Sequence, residues 1–122
     1  MITEKEYLVS AVIASFNQQD FIEEAVISLT NQVDEIVVVD DQSEDGTFEK
    51  LLELERELDN LVLVRGETHL GVSRAYNQAV DIAKGEYLIM QGGDDVSMPN
   101  RVSLQVEELQ NPNISMSYSL PI

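Results

Sequence analysis

At 122 residues, 43% of them hydrophobic, the chain has the size and composition of one folded domain with its own core rather than of a disordered segment. Twenty-three acidic against seven basic residues give a formal net charge of −16. That balance speaks against a broad nucleic-acid or anionic-membrane surface, yet it leaves room for one nucleotide in a pocket where a metal ion and backbone amides act locally. With no cysteine there is no disulfide framework, thiolate metal site or cysteine nucleophile. The opening "MITEKEYLVSAVIASFN" is too acidic and too short in its apolar run for a signal peptide, and no stretch is long enough to span a bilayer. The expected location is therefore cytoplasmic, or at the cytoplasmic face of a membrane.

Two kinds of segment alternate along the chain. "YLVSAVIAS" (Tyr7 to Ser15) is β-branched and apolar and reads as a buried strand. "DFIEEAVISLTN" follows as a helix with Phe21, Ile22, Ala25, Val26 and Leu29 on one face. "EIVVVDD", apolar on both faces, reads as a central parallel strand. "GTFEKLLELERELD" is an acidic helix entered through the turn "SEDG", its charges interleaved with Leu51, Leu52 and Leu58 as on a solvated face. "LVLVRG" is a third strand, and "GVSRAYNQAVDIAKG" a helix with Val72, Ala75, Tyr76, Ala79 and Ala83 inward and Gly85 as its stop. "EYLIM" is a fourth strand. "SMPNRVSLQVEEL" then reads as a helix with Ser97 near its N-cap and Pro99 in its first turn, and "ISMSYSLPI" as a fifth strand. The expected fold class is α/β, an open, mostly parallel sheet with helices on both faces. Ligands of such sheets bind at the carboxyl ends of the strands, so those ends carry the functional reading.

The first strand ends in "ASFN". Phe16 could lie against a planar ring with Ser15 and Asn17 offering hydrogen bonds beside it, although the tetrapeptide alone favours Phe16 in the core and Asn17 starting the next helix. The second ends in "VVVDDQSEDG", where neighbouring side chains face opposite ways. Asp41 reads equally as a contact to base or ribose and as turn chemistry, and Asp40 as structural. Before the third helix, Gly71 precedes free amides at a positive dipole end, and Arg74 could reach an anion or pair with one of many nearby acids. His69, the only histidine, reads as incidental to catalysis. After the fourth strand, "QGGDD" combines Gly92 and Gly93, which let a ligand approach the main chain, with Asp94 and Asp95. Adjacent carboxylates repel unless a cation stands before them, and hard oxygen ligands of this kind suit Mg2+ or Mn2+ with substrate phosphates completing the shell.

Together, "VSAVIASFN", "IVVVDDQSEDGT", "LGVSRAYNQAVDIAKGEYLIM" and "GGDDVSMPNR", in order and at their spacing, resemble the nucleotide-binding half of the family-2 glycosyltransferases of the A-type, nucleotide-diphospho-sugar transferase fold. The match runs from about Leu8 to Leu109. The resemblance implies transfer of a sugar from a UDP-, GDP- or dTDP-sugar to an acceptor, with inversion at the anomeric carbon and a divalent metal stabilising the departing diphosphate. It implies that Phe16 lies against the base between Ser15 and Asn17, that Asp41 contacts base or ribose, and that Asp94, followed by Asp95, holds metal and diphosphate. Gly71, Arg74 and Gly93 complete the expected donor-binding set. Three departures stand out: Gly92 replaces the first Asp of the family's Asp-x-Asp signature, Tyr76 stands where an arginine is common, and the chain stops at Ile122. The expectation is a single domain over residues 1–122, a truncated or excised half without the acceptor part and without the general base.

Other classes fit less well. A receiver domain needs acids after its first strand, a phosphoacceptor Asp after its third and a late lysine, whereas these strands end in "SFN" and "VRG" and no lysine follows Lys84. A nucleotidyltransferase needs a basic glycine-rich loop where "ASFNQQD" stands. A non-catalytic nucleotide-binding or interaction module remains the alternative.

Overall fold

The computed structural model describes residues 7–118. Its elements are β1 (Val9–Ser15), α1 (Ile22–Thr30), β2 (Glu35–Asp40), α2 (Thr47–Glu57), β3 (Leu61–Arg65), α3 (Val72–Ile82), β4 (Tyr87–Gly92) and α4 (Arg101–Leu109). Four parallel strands form one sheet in the order β3-β2-β1-β4.

Alternation along the two central strands divides the core. Ala11 and Ile13 of β1 and Ile36 and Val38 of β2 face α1, α2 and α4, packing with Ile22, Val26, Leu29, Leu51, Leu54, Val102 and Val106. Val12, Ala14, Val37 and Val39 face the other way, onto Ala75 and Ala79 of α3. Both faces of β1 and β2 are therefore dry, which is why these strands are continuous apolar runs. Three helices cover one face and one covers the other.

The order of connections locates the ligand site. From β1 the chain steps outward to β2 and β3 through α1 and α2, then crosses back through α3 on the opposite face and lays β4 on the far side of β1. The direction of winding reverses between β1 and β4, and the crevice of an open α/β sheet lies at that reversal, at the carboxyl ends of the strands. Ala14 pairs there with Gly92, and Ser15 with Asp40.

Several element-level expectations change. The fourth helix begins at Arg101 with Asn100 as its cap, so Ser97 and Pro99 lie in the loop before it. Ser97 instead hydrogen-bonds the Gln91 side chain through its hydroxyl, which satisfies it without a helix. Phe21, the cap of α1, and Val72, the first residue of α3, are 55% and 60% exposed. α3 ends at Ile82 with an extended Ala83 cap. Gly85 follows two residues on, where an added Cβ would stand 2.5 Å from Ser10 Oγ and 2.6 Å from Ser10 N, so close approach to β1 selects glycine there. Residues 114–118 carry no strand, and the rest of the expected fifth strand, 119–122, lies outside the described residues.

Candidate functional site

The acidic pair closes over Gly92. The Asp95 N–H donates to Gly92 O at 3.2 Å, forming a turn that brings both exposed carboxylates back above the glycine. A Cβ on Gly92 would stand 2.9 Å from Asp95 Oδ2 and 3.0 Å from Asp94 Oδ1, so the two oxygens lie within about 6 Å of each other. The glycine that replaces the signature's first acid is thus the space the remaining two share. Among the described residues no Lys or Arg forms an ion pair with either acid. The nearby Arg101 commits its guanidinium to Ser97 Oγ at 2.9 Å, Gln105 Oε1 at 3.0 Å and Met90 O at 3.0 Å. Burial lowers the Arg101 pKa, and the Asp95 charge partly restores it.

Tyr76 reaches the same corner from α3. Its hydroxyl donates to Gln91 O at 2.6 Å. Burial raises its pKa, the Asp95 and Asp94 charges push it further, and a hydrogen bond with the Ala14 backbone opposes them. The phenol is therefore a neutral donor that ties α3 to the end of β4, where the family often has a cation. Beside it, Gln91 is 4% exposed, and its Nε2 donates to Ala25 O at 3.0 Å and Asp95 O at 3.1 Å. This amide fixes the backbone that carries the acids.

The remaining expected residues divide into those that face the crevice and those that build it. Ser15 is 1% exposed and donates to Asp40 Oδ1 at 2.9 Å, so its hydroxyl is committed inside the protein. Asp40, fully buried, also accepts from Ser43 Oγ at 2.6 Å and Ser43 N at 3.0 Å, and Arg65 Nε lies 3.9 Å away. Asn17 is exposed with a φ of 51°, and its Oδ1 accepts the Glu44 N–H at 2.8 Å while its N–H donates to Ser43 Oγ at 3.0 Å. It joins the loops after β1 and β2. Gly93 is buried under Gln18 and Ile22, whose Cδ1 lies 3.1 Å from the place of a Cβ. The close approach it allows is that of Gln18 and of Ile22 at the start of α1.

Asp41 holds the loop that follows β3. It is 2% exposed, and its Oδ1 and Oδ2 accept the N–H groups of Leu70 at 2.7 Å and Gly71 at 2.9 Å. The Gly71 amide is thus occupied. Gly71 has φ 90° and ψ 160°, open to glycine and strained for other residues, and it starts α3 so that the amides of the next residues face outward. The same anchor draws His69 onto Phe16, with ring centroids 4.6 Å apart at 46°. Phe16 is half-buried at the mouth of the crevice. Arg74 is exposed and lines a cleft of about 480 Å³ with Glu67, Thr68, Leu70, Asn77, Gln78 and Asp81. The structure therefore places Phe16, His69, Asn17, Asp94 and Asp95 at the strand ends, while Ser15, Asp41 and the Gly71 amide hydrogen-bond within the protein and Gly93 is buried.

Asp45 sets the start of α2 nearby. Burial pulls its pKa up, but hydrogen bonds from the Thr47 side chain, the Thr47 backbone and the Gln19 backbone outweigh it and leave the carboxyl below its usual 3.8. A depressed folded pKa stabilises the fold above the unfolded value, and that contribution is lost as pH falls through the folded one. Urea midpoints of the protein and of Asp45→Asn are thus expected to differ at pH 7, in favour of Asp45, and to converge as pH drops below about 4.

Sequence reasoning passed over Gln18, Gln91 and Arg101, for which no local pattern gives a signal, and read His69, two residues before the glycine that opens α3, as incidental to catalysis.

A four-stranded parallel sheet with paired acids and an aromatic at its winding reversal makes an open α/β domain with a crevice at the carboxyl ends of its strands. Residues 10–120 match the family described as Glycosyl transferase family 2, and the chain belongs to that family. It is 30% identical over 115 residues to the putative teichuronic acid biosynthesis glycosyltransferase TuaG of Bacillus subtilis, covering 92% of this chain and 46% of that protein. It is 30% identical over 116 residues to the UDP-Glc:alpha-D-GlcNAc-diphosphoundecaprenol beta-1,3-glucosyltransferase WfgD of Escherichia coli, covering 93% of this chain and 45% of that one. Among solved structures, S. aureus TarS in complex with UDP-GlcNAc superposes with a TM-score of 0.75 at 26% identity, covering 87% of this chain and 32% of that one. The mannosyltransferase PcManGT of Pyrobaculum calidifontis, in complex with GDP-Man and Mn2+, superposes at 0.77 with 26% identity, covering 90% and 34%. The chain spans less than half the length of these relatives. Among the described residues no helix is long and apolar enough to cross a membrane.

Proposed function

We propose that this chain is the donor-binding half of an inverting glycosyltransferase that holds a nucleoside-diphosphate sugar at the carboxyl ends of β1 and β4. One observation carries the reading: Asp94 and Asp95 converge over Gly92 at the winding reversal, and among the described residues no Lys or Arg forms an ion pair with either. That arrangement suits a divalent cation. Among the described residues no three His, Cys, Asp or Glu side chains gather around one point, so the protein offers two carboxylates. A shell completed by substrate phosphates is the usual habit of Mg2+ and Mn2+. When bound, such an ion would neutralise the departing diphosphate. The likeness to proteins solved with UDP-GlcNAc and with GDP-Man and Mn2+ supports both donor and metal.

The chain's own residues orient the donor. Phe16 offers an apolar face to the base, Asn17 sets the rim of the pocket, and Tyr76 and Gln91 keep the acid turn in place. The general base and the acceptor site belong to a further part of the enzyme. β4 pairs with β1 alone among the described residues, and Leu88, Met90, Val96, Met98 and Leu104 beside it are exposed, a surface suited to cover by more chain. Relatives named for teichuronic acid, lipid-diphosphate and poly(ribitol-phosphate) glycosylation support a role in polysaccharide biosynthesis.

Calorimetric titration with UDP, GDP and dTDP, with and without manganese, tests this reading. The expected result is binding of at least one nucleotide, strengthened by the metal. No heat with any of them would favour a non-catalytic interaction module.

A further inference from the structure

α3 borders a cleft on the flank that faces away from the paired acids. Tyr76 points toward β4, where its hydroxyl meets Gln91 O. Arg74, Gln78 and Asp81, spaced by four and three residues, form a stripe on the other side of the helix. With Asn77 and the loop residues Glu67, Thr68 and Leu70 they line the space of about 480 Å³, within the usual size of a small-molecule site. His69 stands between Thr68 and Leu70 but lies on Phe16, so this loop is a wall between the cleft and the mouth of the crevice.

The lining chemistry narrows the occupant. Gln78 Oε1 is buried and accepts no hydrogen bond among the described residues, although buried acceptors as a rule are met by a donor. Arg74 forms no ion pair with Glu67 or Asp81 among the described residues, so its N–H groups stay available. One cation against two acids disfavours a phosphate or another anion. Nor do the acids make a metal site, since among the described residues no three His, Cys, Asp or Glu side chains converge. What fits is a neutral ligand dense in hydroxyls. Each hydroxyl can donate to Gln78 Oε1, Glu67 or Asp81 and accept from Arg74 or Asn77, and it satisfies the Gln78 amide whichever way that group is turned.

We propose that this cleft is a saccharide-binding site outside the nucleotide crevice, with Gln78 as its buried anchor and Arg74, Asn77 and Asp81 reaching the sugar hydroxyls. The inference goes beyond the donor reading and does not need it: a neutral sugar occupies the cleft whether or not the crevice holds a nucleotide.

Proton–nitrogen correlation spectra of the full chain, titrated with glucose, N-acetylglucosamine and cellobiose in the absence of metal and nucleotide, test it. Inorganic phosphate serves as the anionic control. The expected result is a saturable shift of the Arg74, Asn77 and Asp81 amides and of the Gln78 side-chain amide with at least one sugar, and none with phosphate. Gln78→Leu is expected to weaken that sugar about tenfold. Asn77→Ala, at an exposed position, is expected to weaken it as well and keeps the test open should the leucine variant fail to fold. No saturable shift at these residues with any of the sugars at their highest soluble concentrations overturns the inference, as does undiminished affinity in the folded variants or a shift that phosphate alone produces. Shifts centred on Phe16, Asp94 and Asp95 overturn it too, and leave the donor reading intact. Failure of every nucleotide to bind overturns the donor reading and leaves this cleft standing.

Discussion

Replacing Asp94 and Asp95 together by asparagine is expected to remove the metal-dependent part of nucleotide affinity while leaving the fold at least as stable as before. The two carboxylates are exposed and share the space over Gly92, and among the described residues no basic side chain pairs with them. In the free protein they repel each other, so neutralising them relieves a strain. With metal and diphosphate present the same charges become the anchor. Their loss is expected to weaken binding by about a hundredfold, roughly 3 kcal/mol. Titration of UDP, GDP and dTDP into the double variant, with and without manganese, reads this directly, and urea unfolding without metal provides the control. Equal affinity in variant and wild type, or a large loss of stability, would mean that the acids serve the turn and not a ligand.

Asp40→Ala is expected to show the opposite pattern. Asp40 is fully buried and accepts three hydrogen bonds, from Ser15 Oγ, Ser43 Oγ and Ser43 N, with Arg65 at 3.9 Å. Arg65 is held in turn over the Phe48 ring, its guanidinium carbon 4.6 Å from the centroid. Alanine would leave three donors facing a void and the cation without its partner, a loss of about 3–5 kcal/mol. Asp40→Asn keeps the shape and part of the bonding and is expected to lose less. Urea midpoints of both variants check the ranking. A cost below about 1 kcal/mol for the alanine variant would contradict the assignment of Asp40 to the scaffold.

These two contrasts follow the division between what the sequence reveals and what it hides. β1 and β2 are legible because burial on both faces leaves them no polar alternation, and α1 to α3 because their apolar stripes repeat at helical spacing. α4 is legible in its body but not at its start. Ser97 has the chemistry of a cap, and only the fold shows that Gln91 claims its hydroxyl. The paired acids stand out because two glycines and two like charges at the end of an apolar strand have few structural uses. Ser15 and Asp41 look equally suited to a ligand, yet their partners come from 25 and about 30 residues away along the chain. No local pattern shows which polar groups satisfy one another across that distance. Gly93 follows the same logic, since Gln18, which stands over it, comes from the loop after β1, far away along the chain.

The most direct measurement is a crystal structure with manganese and the preferred nucleoside diphosphate, using the anomalous signal to find the metal. The account predicts a single manganese peak above Gly92, coordinated by Asp94 or Asp95 and by the diphosphate. Bound nucleotide with no metal at that turn, or nucleotide seated in the Arg74 cleft, would contradict it.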